Sequence, residues 1–396
     1  MRPTTAGSSI RLLRVRGIGG QRVTSMELFF DLVYVFAVTQ LARLLLGQLT
    51  PLGAARTLLL LLAVWWAWIY TAWITNWFHP DHRAVRLMLL VAMLASLIMS
   101  ASLPGAFGPH GLVFAGAYVT IQVGRTLFVV AALGGQPGLR RNFQRILTWS
   151  AASGLLWLAG GFAHGGARAA CWIAAVAVDY AGPVAGFAIP VLGRSQTSDW
   201  TISGSHLSER CQLFIIIALG ESVLDTGAAF GGLRYTAATV TAFVVAFLGS
   251  VALWWIYFDR SAGDSTRTII STDDPGRLGR SAYTYFHLPM VAGVIVAAVA
   301  DERAIAHPGG HTTAAATMVI LGGPALFLAG HVMFKRAVFR VLSVPRLIAI
   351  AALAVLAPVA LVVPPLALLT LATVVVATVA GWDAWTLRDS TLLTGA

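Results

Sequence analysis

The sequence predicts an all-α polytopic membrane protein of about twelve transmembrane helices, arranged as two parallel six-helix repeats with cytoplasmic N- and C-termini. Three observations lead there. Of 396 residues, 58% are hydrophobic and 11% charged, with a mean hydropathy of +0.78, whereas soluble domains carry about 25% charged residues. The apolar residues fall in runs near the roughly 20 that a helix needs to cross a hydrocarbon core of about 30 Å. The basic residues, 27 with lysine only at 335, gather in alternate connections between those runs.

In chain order, a basic tail (1–25) precedes spans at 26–47 and 57–78, and Arg83 and Arg86 separate these from 86–106 and 112–134. Arg140, Arg141 and Arg145 precede 146–163 and 170–192, and a polar linker, 193–210, carries Arg194 and Arg210. Spans at 211–230 and 236–258 follow, then Arg260, Arg267, Arg277 and Arg280 before 281–300 and 313–334. Lys335, Arg336, Arg340 and Arg346 come next, then spans at 346–363 and 365–383 and a tail at 384–396 with Arg388. Only Pro364 and Pro365 divide the last two spans, leaving open a tight hairpin or one broken helix. With the N-terminus inside, 21 bases are cytoplasmic against 4 outside, namely Arg56, Arg168, Arg234 and Arg303. That asymmetry is the one cytoplasmic loops show. The net charge of +11 is then accounted for by loops facing anionic lipid headgroups, and no nucleic-acid partner is implied. The basic tail lacks the pattern of a cleavable signal.

Two repeats, 26–192 and 211–383, are suggested by recurring strings. The first span opens with Glu27 and the seventh follows Glu209, an offset of 182 residues. "VWWAWIY" (64–70) has a counterpart in "LWWIYF" (253–258), its tryptophan pair offset by 189. An even number of helices per half preserves orientation, so the repeats would be parallel.

Several residues do not belong in lipid, where a mid-bilayer charge costs at least ~2.5–3.5 kcal/mol. In the first span Glu27, Asp31 and Tyr34 share one helical face, with Asp31 about 6 Å deeper than Glu27. Glu221 and Asp225 repeat that spacing in the seventh span, flanked by Gly220 and Gly227. Arg125 and Asp179 fall near mid-depth, so Arg125 is the expected counter-ion of Asp179, Glu221 or Asp225. His287 and His331 lie in the cytoplasmic third. One arginine cannot neutralise Asp31, Asp179, Glu221 and Asp225 together, so at least two of them need a proton, water, a histidine or a cation.

The strings around these residues resemble a known family. "ELFFDLVYVFAVTQL" (27–41), "HLSERCQLFIIIALGESVL" (206–224), "AYTYFHLPMVAGVIVA" (282–297) and "GHVMFKR" (330–336) are similar to the bacterial low-temperature-requirement A (LtrA) family, in the same order. Cys211 and Gln212 depart from the pair more usual there. The resemblance implies a multi-pass protein of the bacterial plasma membrane and supplies no mechanism. The first span also resembles the F-S-D motif that opens the first pore helix of a six-helix-repeat potassium channel family, with Phe30 in place of the serine. That likeness implies that Asp31 anchors the start of its helix by hydrogen bonds to a neighbour.

Three function classes follow. A cation or proton channel or transporter would run a polar path past Asp31, Glu221 and Asp225, with "AGPVAGF" (181–187) and the glycines beside Glu221 and Asp225 as places to unwind. A membrane-embedded enzyme acting on a lipid or isoprenoid would set an acid beneath an aromatic lining of Trp65, Trp66, Trp68, Trp254, Trp255 and Tyr257. A scaffold would leave its carboxylates paired and dry. Membrane lipids are the expected partners, self-association is open, and no cofactor or metal is implied.

Overall fold

The computed structural model describes residues 12–14, 22–259 and 261–393, with side chains to 385. Among them, twelve long helical segments follow one another. These are α1 (Ser25–Gly47), α2 (Pro51–Trp77), α3 (Arg83–Gly105), α4 (Gly111–Ala132), α5 (Pro137–Phe162) and α6 (Gly165–Val184), then α7 (Gly204–Gly231), α8 (Ala237–Phe258), α9 (Pro275–Ala306), α10 (Ala314–Phe339), α11 (Val344–Leu361) and α12 (Pro365–Leu393). A short helix, Ser261–Ser271, follows α8. Ten of the twelve are long and apolar enough to cross a membrane; α5 and α6 fall short. The first turns of α5 hold Arg140, Arg141 and Arg145, and α6 draws on alanine and glycine and has no leucine. The fold is that of a polytopic helical membrane protein.

Local chemistry sets the helix ends. Proline opens α2, α5 and α12, where its missing N–H costs nothing. Thr24 and Glu27 cap α1 reciprocally: the Thr24 amide donates to Glu27 Oε2 at 2.9 Å, and the Glu27 amide to Thr24 Oγ1 at 3.4 Å. Two helices contain π-helical turns, Thr120–Gly124 in α4 and Gly279–Tyr285 in α9. α7 stays helical through Gly220 and Gly227, so that expected break is absent, whereas α6 ends at Val184 within "AGPVAGF" (181–187), where Gly186 and Phe187 take positive φ.

Three expected boundaries move. α6 ends at Val184 instead of 192, α7 starts at Gly204, which makes the second half of the 193–210 linker helical, and α12 continues through the expected tail at 384 as far as Leu393. Of the N-terminal tail, Leu12 to Arg14 are held against the end of α2 by Arg14 N–H to Trp77 O (2.8 Å) and His79 N–H to Leu12 O (2.9 Å). Residues 1–11 and 15–21 lie outside the described residues.

The chain forms two compact units, one from residues within 1–44, 55–210 and 272–280, the other from 45–54, 211–271 and 281–396. In the first, α4 packs against α3 and α5, and α5 pairs with α6 around Trp157 and Trp172. In the second, α9 and α10 form the most intimate pair, with α8, α11 and α12 around them. α11 and α12 are a hairpin, because Arg346 at the start of one is ion-paired with Asp383, far along the other. This decides the alternative that the proline pair left open.

Glycine brings α9 and α10 together. A Cβ on Gly293 would stand 2.5 Å from the Phe327 nitrogen, and one on Gly323 2.7 Å from the Ala297 nitrogen. Backbone is thus packed on backbone, the usual device of membrane helices. Gly293→Val is expected to force the pair apart at about 3 kcal/mol or more, read as a lowered melting temperature of the detergent-purified protein. Unchanged melting would mean that this contact does not bind the pair.

Candidate functional site

A column of buried polar side chains runs through the first unit. At its shallow end Glu27, fully buried, meets Arg14 at 2.8 Å and His206 Nε2 at 2.7 Å, and the other ring nitrogen of His206 lies 3.2 Å from the Asn76 amide. One turn deeper, Asp31 Oδ1 accepts from Arg210 (2.8 Å) and from the indole N–H of Trp68 (2.8 Å). The Arg210 guanidinium also lies over the Trp68 ring, 5.5 Å from its centroid. Glu27 and Asp31 are four apart on α1, as His206 and Arg210 are on α7, so two acids face two basic groups rung for rung. This matching spacing was the signal in the sequence for His206 and Arg210, which their place in a polar string concealed.

Deeper still, the Tyr34 hydroxyl pairs with Ser96 Oγ at 3.0 Å. Tyr34 lies within electrostatic reach of Asp31 and Arg210 on one side and Arg125 on the other. Arg125 donates to Ala67 O (2.9 Å), Thr71 Oγ1 (2.6 Å) and Gln122 Oε1. The Gln122 amide donates to the Tyr118 hydroxyl (2.9 Å), which donates to Asp179 at 2.7 Å, and Trp157 Nε1 adds 3.1 Å. Arg125 is therefore not the counter-ion of Asp179: the π turn of α4 and the Tyr118 and Gln122 side chains stand between them. Asp179 accepts only from neutral donors and forms no ion pair among the described residues.

Inside this column, Asp31 Oδ2, Arg125 Nε, and Arg210 Nε and Nη1 are buried with no hydrogen-bond partner among the described residues. Leaving such an atom dry costs about 1–3 kcal/mol, so each has capacity left for a water or another polar group. Near Arg14 and Asn76 the first unit also holds a basin of about 710 Å³, lined by Arg14, Arg141, Arg145, Arg194, Asn76 and Trp77 among others.

The second unit holds the remaining candidates. Glu221 is buried and Asp225 half-buried, and both interact with neighbours. His287 is fixed between helices: one ring nitrogen faces Ala282 O at 2.9 Å and must carry the proton, so the other accepts from the Tyr257 hydroxyl at 2.7 Å. His331 Nδ1 accepts from Arg346 Nε at 2.7 Å, and Arg346 also binds Ser343 and Asp383. The aromatic residues divide. Trp65, Trp66, Trp68 and Tyr257 are buried, whereas Trp254 and Trp255 are 44% and 39% exposed. α8 turns Ser250, Leu253 and Tyr257 inward, which carries those two tryptophans to its outer face and corrects their expected place in a pocket lining.

One residue that the sequence did not single out stands apart. Asp301 on α9 is 5% exposed and has no hydrogen bond or ion pair among the described residues. It lies one residue past the expected end of its span, beside Glu302 and Arg303, and so read as loop. Yet it falls four and eight residues after Ala297 and Gly293, on the face that packs against α10.

In comparison with known proteins, the family model described as bacterial low temperature requirement A protein (LtrA) matches residues 22–381. A Rhizobium meliloti (strain 1021) protein, named as uncharacterized, is 36% identical over 373 residues, covering 94% of this chain and 91% of its own. No solved structure matches the chain.

Proposed function

The chain belongs to the bacterial low-temperature-requirement A family, and on that premise we propose that it is a channel or transporter for a monovalent cation or proton in the bacterial plasma membrane. Intramembrane carboxylates line its path. One observation carries this: each unit buries an acid with no basic partner among the described residues, Asp179 in the first and Asp301 in the second. A buried carboxylate without a counter-charge holds a proton or a cation, and exchanging it is what such residues do in membrane carriers. The orphaned atoms of Asp31, Arg210 and Arg125 support a hydrated route beside them. In this proposal the halves 26–192 and 211–383 are parallel repeats, and the distribution of arginine sets both termini in the cytoplasm. Anionic lipid headgroups suit the arginine-lined basin.

The test is flux in proteoliposomes, with potassium, sodium and protons each measured against empty liposomes. Wild-type protein should conduct, and Asp179→Asn and Glu221→Gln should each lower the rate about tenfold or more while eluting as folded protein. Asp31→Asn, which leaves Arg210 unbalanced, serves as a third probe only if it stays monodisperse. No flux of any of the three ions would remove the proposal.

A further inference from the structure

We propose that the second unit contains an alkali-cation site, of sodium size, built on Asp301. The inference deepens the transport reading, on which its role in flux rests; its occupancy does not depend on flux. A cavity of about 30 Å³ lies among α8, α9, α10 and α12, and Ser250, Asp301, Ile320, Pro324 and Thr373 are among its lining residues. That is room for a water-sized occupant. Four oxygen sources are found among the cavity's lining residues. Asp301 brings the charge and is spoken for by no other group among the described residues.

Ser250, also buried, and Thr373 make no hydrogen bond among the described residues. Threonines elsewhere in α12 behave differently: Thr370 and Thr378 turn their hydroxyls back to the carbonyls of Leu366 and Val374, each at 2.8 Å. Thr373 instead faces α8, where a Cβ on Gly249 would stand 3.4 Å from its Oγ1.

The fourth source is backbone. Pro324 lies inside α10 and has no N–H to offer the carbonyl of Ile320, one turn earlier, and both residues line the cavity. A carbonyl released in this way is a cation ligand in broken transporter helices. The charge count selects the cation class. One carboxylate neutralises one positive charge, whereas a divalent ion would leave a net charge buried at large cost. Hydroxyl, carbonyl and carboxylate oxygens are donors for a hard cation.

The measurement is thermal unfolding of the full chain in detergent, in sodium, potassium or N-methylglucamine chloride at one ionic strength. Sodium should raise the wild-type melting temperature by about 3 °C or more over N-methylglucamine, and Asp301→Asn should abolish that rise. Thr373→Val, which keeps the shape and removes the hydroxyl, should move the sodium midpoint about tenfold higher. It decides the matter if Asp301→Asn fails to fold. Pro324→Ala, which restores the N–H, should shift the midpoint the same way. Equal melting in all three salts would overturn the site and identify Asp301 as a protonated acid, as would a sodium response unchanged by Thr373→Val. A sodium response without flux would keep the site and remove transport; flux indifferent to Asp301→Asn, with no sodium response, would do the reverse.

Discussion

Replacing Arg210 by methionine is expected to cost the protein its fold, and adding Asp31→Asn to bring it back. Arg210 and Asp31 are both fully buried and joined at 2.8 Å. Removing one partner of such a pair costs about 3–5 kcal/mol, because the other is left charged and dry. In Arg210→Met the Asp31 carboxylate would keep only the indole N–H of Trp68. Against a total stability of about 5–15 kcal/mol, that loss is a large fraction. The double variant has no charge to leave uncompensated, and asparagine still accepts from Trp68. The yield of monodisperse protein and its melting temperature report both steps. Recovery in the double variant would identify charge neutralisation as Arg210's contribution. If Arg210→Met melts like wild type, the pair is not what holds α1 to the start of α7.

Hydropathy made some of this site legible and hid the rest for one reason. Glu27 and Asp31 stand out because apolar residues surround them, so a face of α1 could be read from spacing alone. Their partners His206 and Arg210 sit in "SGSHLSERC", where polarity resembles a loop, although they are fully buried. A charge satisfied by a partner elsewhere in the chain looks the same in one dimension as a charge in water. Asp301 was lost in the same way, at the margin of its span. Arg125 and Asp179 show the opposite error. Opposite signs near one depth suggested an ion pair, but Tyr118 and Gln122, one turn apart on α4, intervene. The long apolar helices were readable because a helix satisfies its own backbone hydrogen bonds, a demand each segment meets alone. The shared tryptophan strings were weaker guides, since the pair in α2 is buried and the pair in α8 faces outward.

Arg168 carries the second large effect. The sequence places it among the few bases of the outer connections, yet α6 begins at Gly165 and Arg168 is buried within its first turn. Its guanidinium gathers carbonyls from two places. Nε donates to Gly160 O (3.1 Å) and Ala163 O (3.0 Å) and Nη2 to Gly161 O (3.4 Å), all at the end of α5. Nη1 donates to Ala106 O (2.8 Å) and Gly108 O (2.6 Å) in the turn after α3. A positive charge on the last carbonyls of a helix also interacts favourably with the negative end of the helix dipole. Lysine is no substitute, since a point charge with three donors cannot span two sets of carbonyls. Arg168→Lys is therefore expected to destabilise by about 3 kcal/mol, and Arg168→Met by more, given about 1.5–3 kcal/mol for a charged hydrogen bond. Gly111 supplies an independent check. A Cβ there would stand 2.4 Å from Arg168 Cζ, so Gly111→Ala should expel the guanidinium and reproduce much of the loss without touching the arginine. Since both substitutions then remove the same interaction, their penalties in thermal melts should fall well short of additive. Full additivity in the Gly111→Ala/Arg168→Met double variant would mean that glycine at 111 serves something other than the arginine, and that the carbonyl cluster is not what ties α3, α5 and α6 together.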